Sequence, residues 1–294
     1  MSFREIASIE KSTLPSHPMG CELYLGLNAK TPFLSTRGLV ENGRWRVLMT
    51  SFTGPIDYGH LTSEDKILTV FACPGDLKLA EIPPWIDSLH LYRCSTLTSL
   101  VGLPASIEYL ILDDCQELTS LDGYVAPLLA HQGSLPESVI ELTLDNLPKL
   151  VWGSSPLPHG LRNLLLSRVA LGRLSLGQEL EHLSLRWIED PLVIDGTPAR
   201  LRSLSLINVS RVADLSWLPE GIASLQLTNC PLVERLPYRR SLTMMTIDER
   251  AYHVQTMDGL GLIPESTVRN YDEYVALLDQ YEAHVSSRKK RAKT

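Results

Sequence analysis

Aromatic residues are scarce in this chain of 294 residues, and so are the patterns that mark several common protein classes. Only 6% of the residues are aromatic while 44% are hydrophobic, so a core must consist largely of aliphatic side chains. No run of about 18 apolar residues occurs, which indicates that no helix spans a membrane. The net charge of −7 argues against a nucleic-acid-binding protein, because neutralising phosphates requires a basic surface.

Motifs of catalysis and of metal binding are missing as well. The sequence contains no G-x-x-x-x-G-K-[ST], G-x-G-x-x-G or G-x-S-x-G motif, and its eight histidines show no H-E-x-x-H or other paired ligand spacing. We therefore expect a protein that is not an enzyme and that binds no cofactor and no metal.

The two ends of the chain bear on its location. Met1 to Lys11 has no basic-then-apolar signal pattern, which favours a cytoplasmic protein and leaves open export without a cleaved signal peptide. A basic cluster at 288–293 has the composition of a nuclear-import or nucleic-acid patch, but it is more typical of a solvated tail. We expect no membrane association.

What the sequence does contain is a repeat, carried by the motif Leu-x-Leu. From the variant Leu68/Val70 onward, successive first anchors are separated by 21, 21, 32, 22, 19, 21 and 21 residues. Such regular spacing is the signature of a solenoid. The anchors are Leu68/Val70, Leu89/Leu91, Leu110/Leu112, Leu142/Leu144, Leu164/Leu166, Leu183/Leu185, Leu204/Leu206 and Leu225/Leu227.

Three further positions keep register with the anchors. In seven of the eight repeats an Ile, Leu or Val lies three residues before the first anchor, and in six a proline lies three residues before that, which gives the consensus P-x-x-[ILV]-x-x-L-x-L. The position five residues after the anchor is apolar or cysteine throughout, so we expect it to point inward. Its occupants are Cys73, Cys94, Cys115, Leu147, Val169, Ile188, Val209 and Cys230.

This pattern predicts a solenoid with a parallel β-sheet. Alternation with period two indicates a short strand with one buried face, and stacked strands of this kind share one continuous core. The prolines favour extended segments, not helices, on the opposite, convex side. We read four cysteines as core residues of an internal ladder, and Cys21 alone lies outside it.

Degenerate repeats and an insertion complete the predicted organisation. Leu23/Leu25 fits a first repeat, Val47/Met49 a second and Met245/Ile247 a last one, while the 32-residue interval implies an inserted loop near 124–134. Thr267 to Val285 has apolar residues spaced by three and four, which predicts an amphipathic helix that covers the end of the solenoid. The predicted division is an N-terminal cap (1–62), a repeat array (63–250) and a C-terminal cap helix with a basic tail (251–294).

The consensus resembles the short leucine-rich repeats of bacterial effector proteins, L-P-x-x-L-x-x-L-x-V-x-x-N. Matching segments are Leu103 to Leu112, Leu135 to Leu144 and Leu218 to Leu227. The resemblance implies a horseshoe of the α/β class with a concave parallel sheet. The cysteines occupy the asparagine position of that consensus, as in the repeats of plant receptors and ubiquitin-ligase adaptors. The catalytic C-x-D motif of effector ubiquitin ligases is missing, so that activity is not implied.

The expected binding surface is the concave face. If the anchors point inward, residues one before, one after and three after each anchor point outward. Aromatic residues and arginines concentrate between positions 90 and 187, and an acidic group favours a protein partner with a basic patch. The candidate contact residues are His90, Tyr92, Arg93, Tyr109, Asp113, Asp114, Glu141, Asp145, Arg168, His182, Arg186 and Trp187.

Three functions therefore remain open. The first is a non-catalytic protein-interaction module, in the manner of a bacterial effector or virulence scaffold. The second is an inhibitor or immunity protein that blocks an enzyme. The third is a substrate-recognition subunit of a ubiquitin ligase, for which Met1 to Thr62 offers no adaptor-binding helix pair.

Overall fold

A computed structural model describes most of the repeat array and less of the two ends. Side chains are described only where exposure is assigned, which leaves out the first two strands. The described residues are 21–26, 33–39, 44–51, 58–59, 61–73, 77–121, 124–125, 132–152, 157–212, 214–233, 235–237, 239, 241–248, 250–253, 268–269, 276, 279–280 and 283.

Nearly all regular structure in this part of the chain is β-strand. Its helical structure is limited to one 3-10 turn, Leu79–Glu81, and to single helical residues at 276, 279, 280 and 283. The strands are β1 Cys21–Gly26, β2 Phe33–Leu39, β3 Trp45–Ser51, β4 Asp65–Phe71, β5 Ser88–Tyr92, β6 Tyr109–Asp113, β7 Tyr124–Val125, β8 Gln132–Ser134, β9 Glu141–Asp145, β10 Asn163–Ser167, β11 Arg173–Ser175, β12 His182–Ile188, β13 Val193–Asp195, β14 Ser203–Val209, β15 Ser224–Thr228, β16 Leu236–Pro237, β17 Met244–Ile247, β18 Arg250–His253 and β19 Val268–Arg269.

Thirteen of these strands form one main sheet, in the order β1-β2-β3-β4-β5-β6-β9-β10-β12-β14-β15-β17-β18. From β3 to β17 every neighbouring pair is parallel. The hairpins β1–β2 and β2–β3 at one edge, and β17–β18 at the other, are antiparallel. The fold is therefore a parallel β-solenoid, which confirms the predicted stacking.

The stacking is in register. Leu110 of β6 lies beside Leu89 of β5 and beside Leu142 of β9, and the same correspondence continues through the array. Both leucines of each Leu-x-Leu motif are at most 2% exposed, so they form one continuous core beneath the sheet. Each such side chain contributes roughly 1.5 to 3 kcal/mol of burial, which explains why the repeat keeps leucine there.

The prolines have a more specific role than predicted. The Pro104 carbonyl accepts a hydrogen bond from the Ile107 amide at 3.3 Å, and a turn lies between the two residues. The same bond recurs from Pro83, Pro136, Pro158, Pro198 and Pro219. Proline therefore opens the turn that leads into each strand, where its fixed φ suits the bend and its missing amide hydrogen is not needed.

Outside the main sheet, extended segments of successive repeats stack at two places. β11 and β13 pair in parallel, and Asp214 forms a parallel bridge with Arg235. A repeat of about 21 residues leaves too little chain for a helix after the strand and its two turns. Within the described segments, no helix is long and apolar enough to cross a membrane.

The position five residues after the anchor points inward, as predicted. All four ladder cysteines are fully buried and free of disulfides. The Cys115 thiol donates to the Leu91 carbonyl of the preceding turn at 3.7 Å, and the Cys230 thiol donates to the Leu206 carbonyl at 3.5 Å. These thiols therefore act as small core groups that also bond one turn to the next.

The two ends depart from the predictions. Val47/Met49 and Met245/Ile247 do lie in register with their neighbours. The assignment of Leu23/Leu25 to a first repeat is wrong, because β1 pairs antiparallel with β2. An edge strand of a hairpin shows the same alternation as a repeat strand, so the motif alone could not separate them.

The predicted capping helix, 267–285, is not confirmed. Val268, assigned to the apolar face of that helix, instead belongs to β19, which pairs antiparallel with β16. The backbone groups of Val268 pair within a sheet, so they are not available for the hydrogen bonds of a helix that starts at 267. Further along, helical backbone is described only at 276, 279, 280 and 283.

A small hairpin occupies the position of the predicted inserted loop. β7 and β8 pair antiparallel, while β6 and β9 on either side of them are direct neighbours in the main sheet. The extra residues of the 32-residue interval thus leave the stacking undisturbed. The three-part division at residues 62 and 250 stays a prediction, as does the basic tail at 288–293, which lies outside the described residues.

Candidate functional site

One face of the main sheet, called the outer face here, lies opposite the leucine core. Along β6, β9 and β15, half-buried residues alternate with buried ones, as expected for strands with one face turned toward solvent. Because the strands are in register, equivalent outward residues form straight rows across the sheet. Chemistry that is scattered in the sequence is thereby gathered on one surface.

A second row, called the corner row here, follows the ends of the strands. Its residues have positive φ values between 46° and 55°, a left-handed conformation that Asn and Asp adopt more readily than most residues. Their amides continue the pairing with the next turn, as between the Arg93 nitrogen and the Asp113 oxygen at 2.8 Å. The corner row comprises Ala72, Arg93, Asp114, Asn146, Arg168, Trp187, Asn208, Asn229 and Asp248.

An aromatic group lies on the outer face of β4 and β5. The rings of Phe71 and Tyr92 are 6.3 Å apart, and the ring of His90 meets Tyr92 edge-on at 6.4 Å. The guanidinium of Arg93 lies 5.5 Å from the centre of the Phe71 ring. Phe71 is 38% exposed, so this group presents an apolar surface bordered by positive charge.

His90 is neutral at physiological pH. Burial, together with the charges of Arg46 and Arg44, lowers the pKa of His90 from 6.5 to about 4. Its Nε2 atom lies 3.1 Å from the Ser88 hydroxyl. We predicted a solvent-facing histidine, but His90 is half-buried among its neighbours.

The predicted acidic group is partly neutralised by the chain's own arginines. Arg93 pairs with Asp114 at 3.5 Å and Arg168 pairs with Asp145 at 3.4 Å. Asp113 has no ion-pair partner among the described residues, and burial and the neighbouring Asp145 and Asp114 raise its pKa. The surface around β6 and β9 is therefore a mixed one, with a negative centre at Asp113.

Most of the other predicted contact residues lie on or beside later strands, and Tyr109 lies at the start of β6. Trp187 is 42% exposed, and the guanidinium of Arg168 lies 4.8 Å from the centre of its ring. Arg186 donates from Nε to the Ser184 hydroxyl at 3.2 Å. His182 is exposed at the start of β12, and Tyr109 lies under the guanidinium of Arg44 at 5.5 Å.

A shallow depression of about 380 Å³ opens on the outer face between β9 and β15. Three predicted contact residues line it, Glu141, His182 and Arg186. The rule for outward positions also covers the other polar lining residues, but the predicted contact set left them out because it favoured aromatic and charged side chains. The residues left out are Thr143, Asn163, Ser184, Ser203, Ser205 and Gln226.

All twelve predicted contact residues lie on the outer face or in the corner row, and none is fully buried. The structure brings four pairs of them together: His90 with Tyr92, Arg93 with Asp114, Arg168 with Asp145, and Arg168 with Trp187. Leu48 and Phe71, both 38% exposed, border the same surface and were not predicted. Leu48 lies one residue after the anchor Val47 and Phe71 lies three after the anchor Leu68, so the rule for outward positions could have found both.

Neither a metal site nor a reactive thiol emerges from the described part of the chain. No group of three or more His, Cys, Asp and Glu side chains in that part could hold a metal ion. A hydrogen bond with Cys115, together with burial, raises the pKa of the Cys94 thiol, and burial raises that of Cys230. Both of these thiols therefore stay protonated. The same hydrogen bond lowers the pKa of the Cys115 thiol, but that side chain is fully buried and out of contact with solvent.

A comparison of the chain with protein-family models, curated proteins and solved structures gives no match in any of the three. The fold is therefore named by its geometry alone. The chain is a parallel β-solenoid with an extended outer face.

Proposed function

We propose that the chain is a leucine-rich-repeat protein that binds a protein partner on its outer face and catalyses no reaction. The repeat consensus, the parallel stack and the ladder of inward cysteines all fit this class of repeat. Solenoids of this kind expose long surfaces that are well suited to protein recognition. The likeness to bacterial effector repeats concerns the repeat itself and implies no particular host or pathway.

One observation carries the proposal. Aromatic residues and arginines, the types that dominate binding energy at protein interfaces, are gathered and partly exposed on a single continuous face. Trp187 and Phe71 together with half-buried Tyr92 and Tyr109 provide apolar contact area. Arg93 and Arg168 are already held by aspartates, so they lose little side-chain freedom on binding.

The partner's charge pattern follows from the ion pairs. Asp113 and Glu141 have no ion-pair partner among the described side chains, although Asn163 donates to Glu141 at 3.2 Å. A basic group of the partner placed over Asp113 would relieve the repulsion from Asp145. Because such complementarity acts mainly on encounter rate and specificity, we expect binding to weaken as salt is added.

The test is capture of a partner by immobilised protein from cell lysates, read by mass spectrometry and then repeated with the purified partner. Replacement of Tyr92, Tyr109 and Trp187 by alanine is expected to weaken binding at least about tenfold, because interface aromatics supply most of the binding energy. Circular dichroism and urea unfolding should show that the variant still folds.

A matched control replaces exposed apolar residues away from the main sheet. Trp85, Val101 and Val151 are 36%, 60% and 72% exposed, and their replacement by alanine should leave capture unchanged. Equal capture by the wild-type protein and by the variant at Tyr92, Tyr109 and Trp187 would rule out the outer face as the binding surface.

A further inference from the structure

The depression on the outer face arises from side-chain size. Ser184, Ser203 and Ser205 lie next to one another on β12 and β14, where the register places Ser184 beside Ser205. Longer side chains surround them, notably those of Arg186 and Gln226. A patch of small residues within a ring of larger ones leaves a hollow that is open to solvent.

The hydrogen bonds around this hollow use up acceptors and leave donors. The Ser205 hydroxyl donates to Gln226 Oε1 at 2.9 Å, which leaves the Gln226 amide hydrogens available. The Ser184 oxygen accepts from Arg186 Nε at 3.2 Å, which leaves its own hydrogen and both terminal nitrogens of Arg186 available. Because the remaining hydrogens on Ser184, Arg186 and Gln226 are all donors, the preferred ligand group is an acceptor with several lone pairs.

Charge points to the same class of ligand. Unlike Arg93 and Arg168, Arg186 forms no ion pair with any described residue, and only a hydroxyl holds its guanidinium. A planar guanidinium with free terminal nitrogens matches a carboxylate in a two-bond arrangement. A phosphate would need more positive charge than one arginine supplies, and Glu141 lines the far end of the same hollow.

We propose that this hollow is an anion subsite in which Arg186, with Ser184, Ser203 and Gln226, receives the carboxylate of an Asp or Glu side chain of the protein partner. The assignment rests on the proposed function, since it names the chemistry that the partner brings to this part of the face. It adds an acidic requirement to the basic one expected near Asp113.

The basic group expected over Asp113 and the carboxylate expected at Arg186 would lie a fixed distance apart on the partner. Asp113, Asp145, Ser167 and Arg186 are successive members of one row across β6, β9, β10 and β12. Three spacings between parallel strands place Asp113 about 14 Å from Arg186. An extended segment advances about 3.3 Å per residue, so the partner would carry a basic and an acidic residue about four positions apart.

The test is a nuclear magnetic resonance titration of the full chain with N-acetylglutamate, with N-acetylglutamine as the uncharged control. Both compounds are used as α-N-methylamides, so that the only carboxylate is that of the glutamate side chain. We expect saturable shifts of the Arg186 Nε–Hε and Gln226 side-chain amide signals, with half-saturation at a concentration at least about tenfold lower than for N-acetylglutamine. Arg186→Gln should abolish saturation, and Arg186→Lys, which keeps the charge but not the fork of donors, should weaken it. Arg173→Gln, on β11 outside the main sheet, where the side chain pairs with Asp195, should leave it unchanged.

Three results would overturn the assignment. Equal responses to the two compounds, or a response that survives in Arg186→Gln, would show that no carboxylate site exists there. Saturation by inorganic phosphate without a response to N-acetylglutamate would show a phosphate site instead. Because the titration uses no partner, its failure leaves the partner-binding test at Tyr92, Tyr109 and Trp187 unaffected.

Discussion

Replacement of Leu206 by alanine is expected to lower the free energy of unfolding by about 3 kcal/mol. Leu206 is fully buried, and its register neighbours are Leu185 of β12 and Leu227 of β15. Those strands are held in place by their own hydrogen bonds, so the core cannot collapse around the missing atoms. The loss therefore includes the cost of the remaining cavity as well as that of the removed methyl groups.

A matched control makes the same chemical change at the surface. Leu232 is 51% exposed, so Leu232→Ala should change the free energy of unfolding by less than about 0.5 kcal/mol. Urea titration followed by circular dichroism gives both values. Similar losses in the two variants would mean that the anchor leucines do not form a tightly packed core.

Acidification should destabilise the protein through His90. Because the folded-state pKa of His90 is lowered to about 4, between pH 6.5 and pH 4 the unfolded chain binds a proton that the folded chain does not. Stability contributed by neutral His90 is thus complete above pH 6.5 and declines as the pH falls toward 4. One pKa unit corresponds to about 1.4 kcal/mol of stability, and the partial exposure of His90 to solvent reduces its contribution. We therefore expect the free energy of unfolding to fall by about 2 to 3 kcal/mol.

The measurement is the free energy of unfolding in urea at pH 7 and pH 4.5 for the wild-type protein and for His90→Gln. Asp113, whose raised pKa acts in the opposite sense, is common to both proteins, so their difference isolates His90. The variant should lose the part of the pH dependence that His90 contributes in this window. His182→Gln, at an exposed position of the same face, should keep it. An unaltered dependence in His90→Gln would mean that His90 does not carry the effect.

The stacking itself was predictable from the sequence. The Leu-x-Leu anchors have a fixed spacing, and spacing determines which residues become neighbours when equivalent strands pair. The buried ladder cysteines followed from the same register, since Cys94 and Cys115 recur at one position of the repeat. One energetic principle, the shared burial of short apolar strands, is enough to explain both results.

The local backbone conformation was harder to predict. The turn role of the prolines depends on a hydrogen bond three residues along the chain, which their extended propensity does not indicate. The left-handed conformation of the corner row could have been predicted from its composition. All nine positions have positive φ, and Asp or Asn occupies five of them. This pattern is easily overlooked where Arg93, Arg168 or Trp187 adopts the same conformation.

Two predictions at the ends of the array failed because one hydrophobic pattern fits more than one structure. Leu23/Leu25 and Val268 lie in alternating or periodic segments whose hydrophobicity fits several folds. Pairing decides between them, and it depends on contacts with β2 and β16 that the hydrophobic pattern of either segment does not reveal.

The candidate site was predictable in outline only. Outward positions follow from strand alternation, which accounts for eight of the twelve contact residues. The other four, Arg93, Asp114, Arg168 and Trp187, lie one residue further along, in the corner row. The pairs Arg93–Asp114 and Arg168–Asp145 depend on side-chain directions in the corner row, which the sequence does not reveal. The hollow beside Arg186 depends on the relative sizes of side chains on neighbouring strands.

The central claim, that equivalent strands pair in parallel and in register, can be tested by disulfide trapping on the outer face. Ser184 and Ser205 are register partners on adjacent strands, whereas Gln226 lies one strand further, about 10 Å from Ser184. Cysteines whose Cα atoms are more than about 7 Å apart cannot be bridged without backbone movement. Under mild oxidation, with intact mass and peptide mapping as the readout, Ser184→Cys with Ser205→Cys should cross-link and Ser184→Cys with Gln226→Cys should not. The reverse pattern would contradict the stacking, and with it the outer face as a single surface.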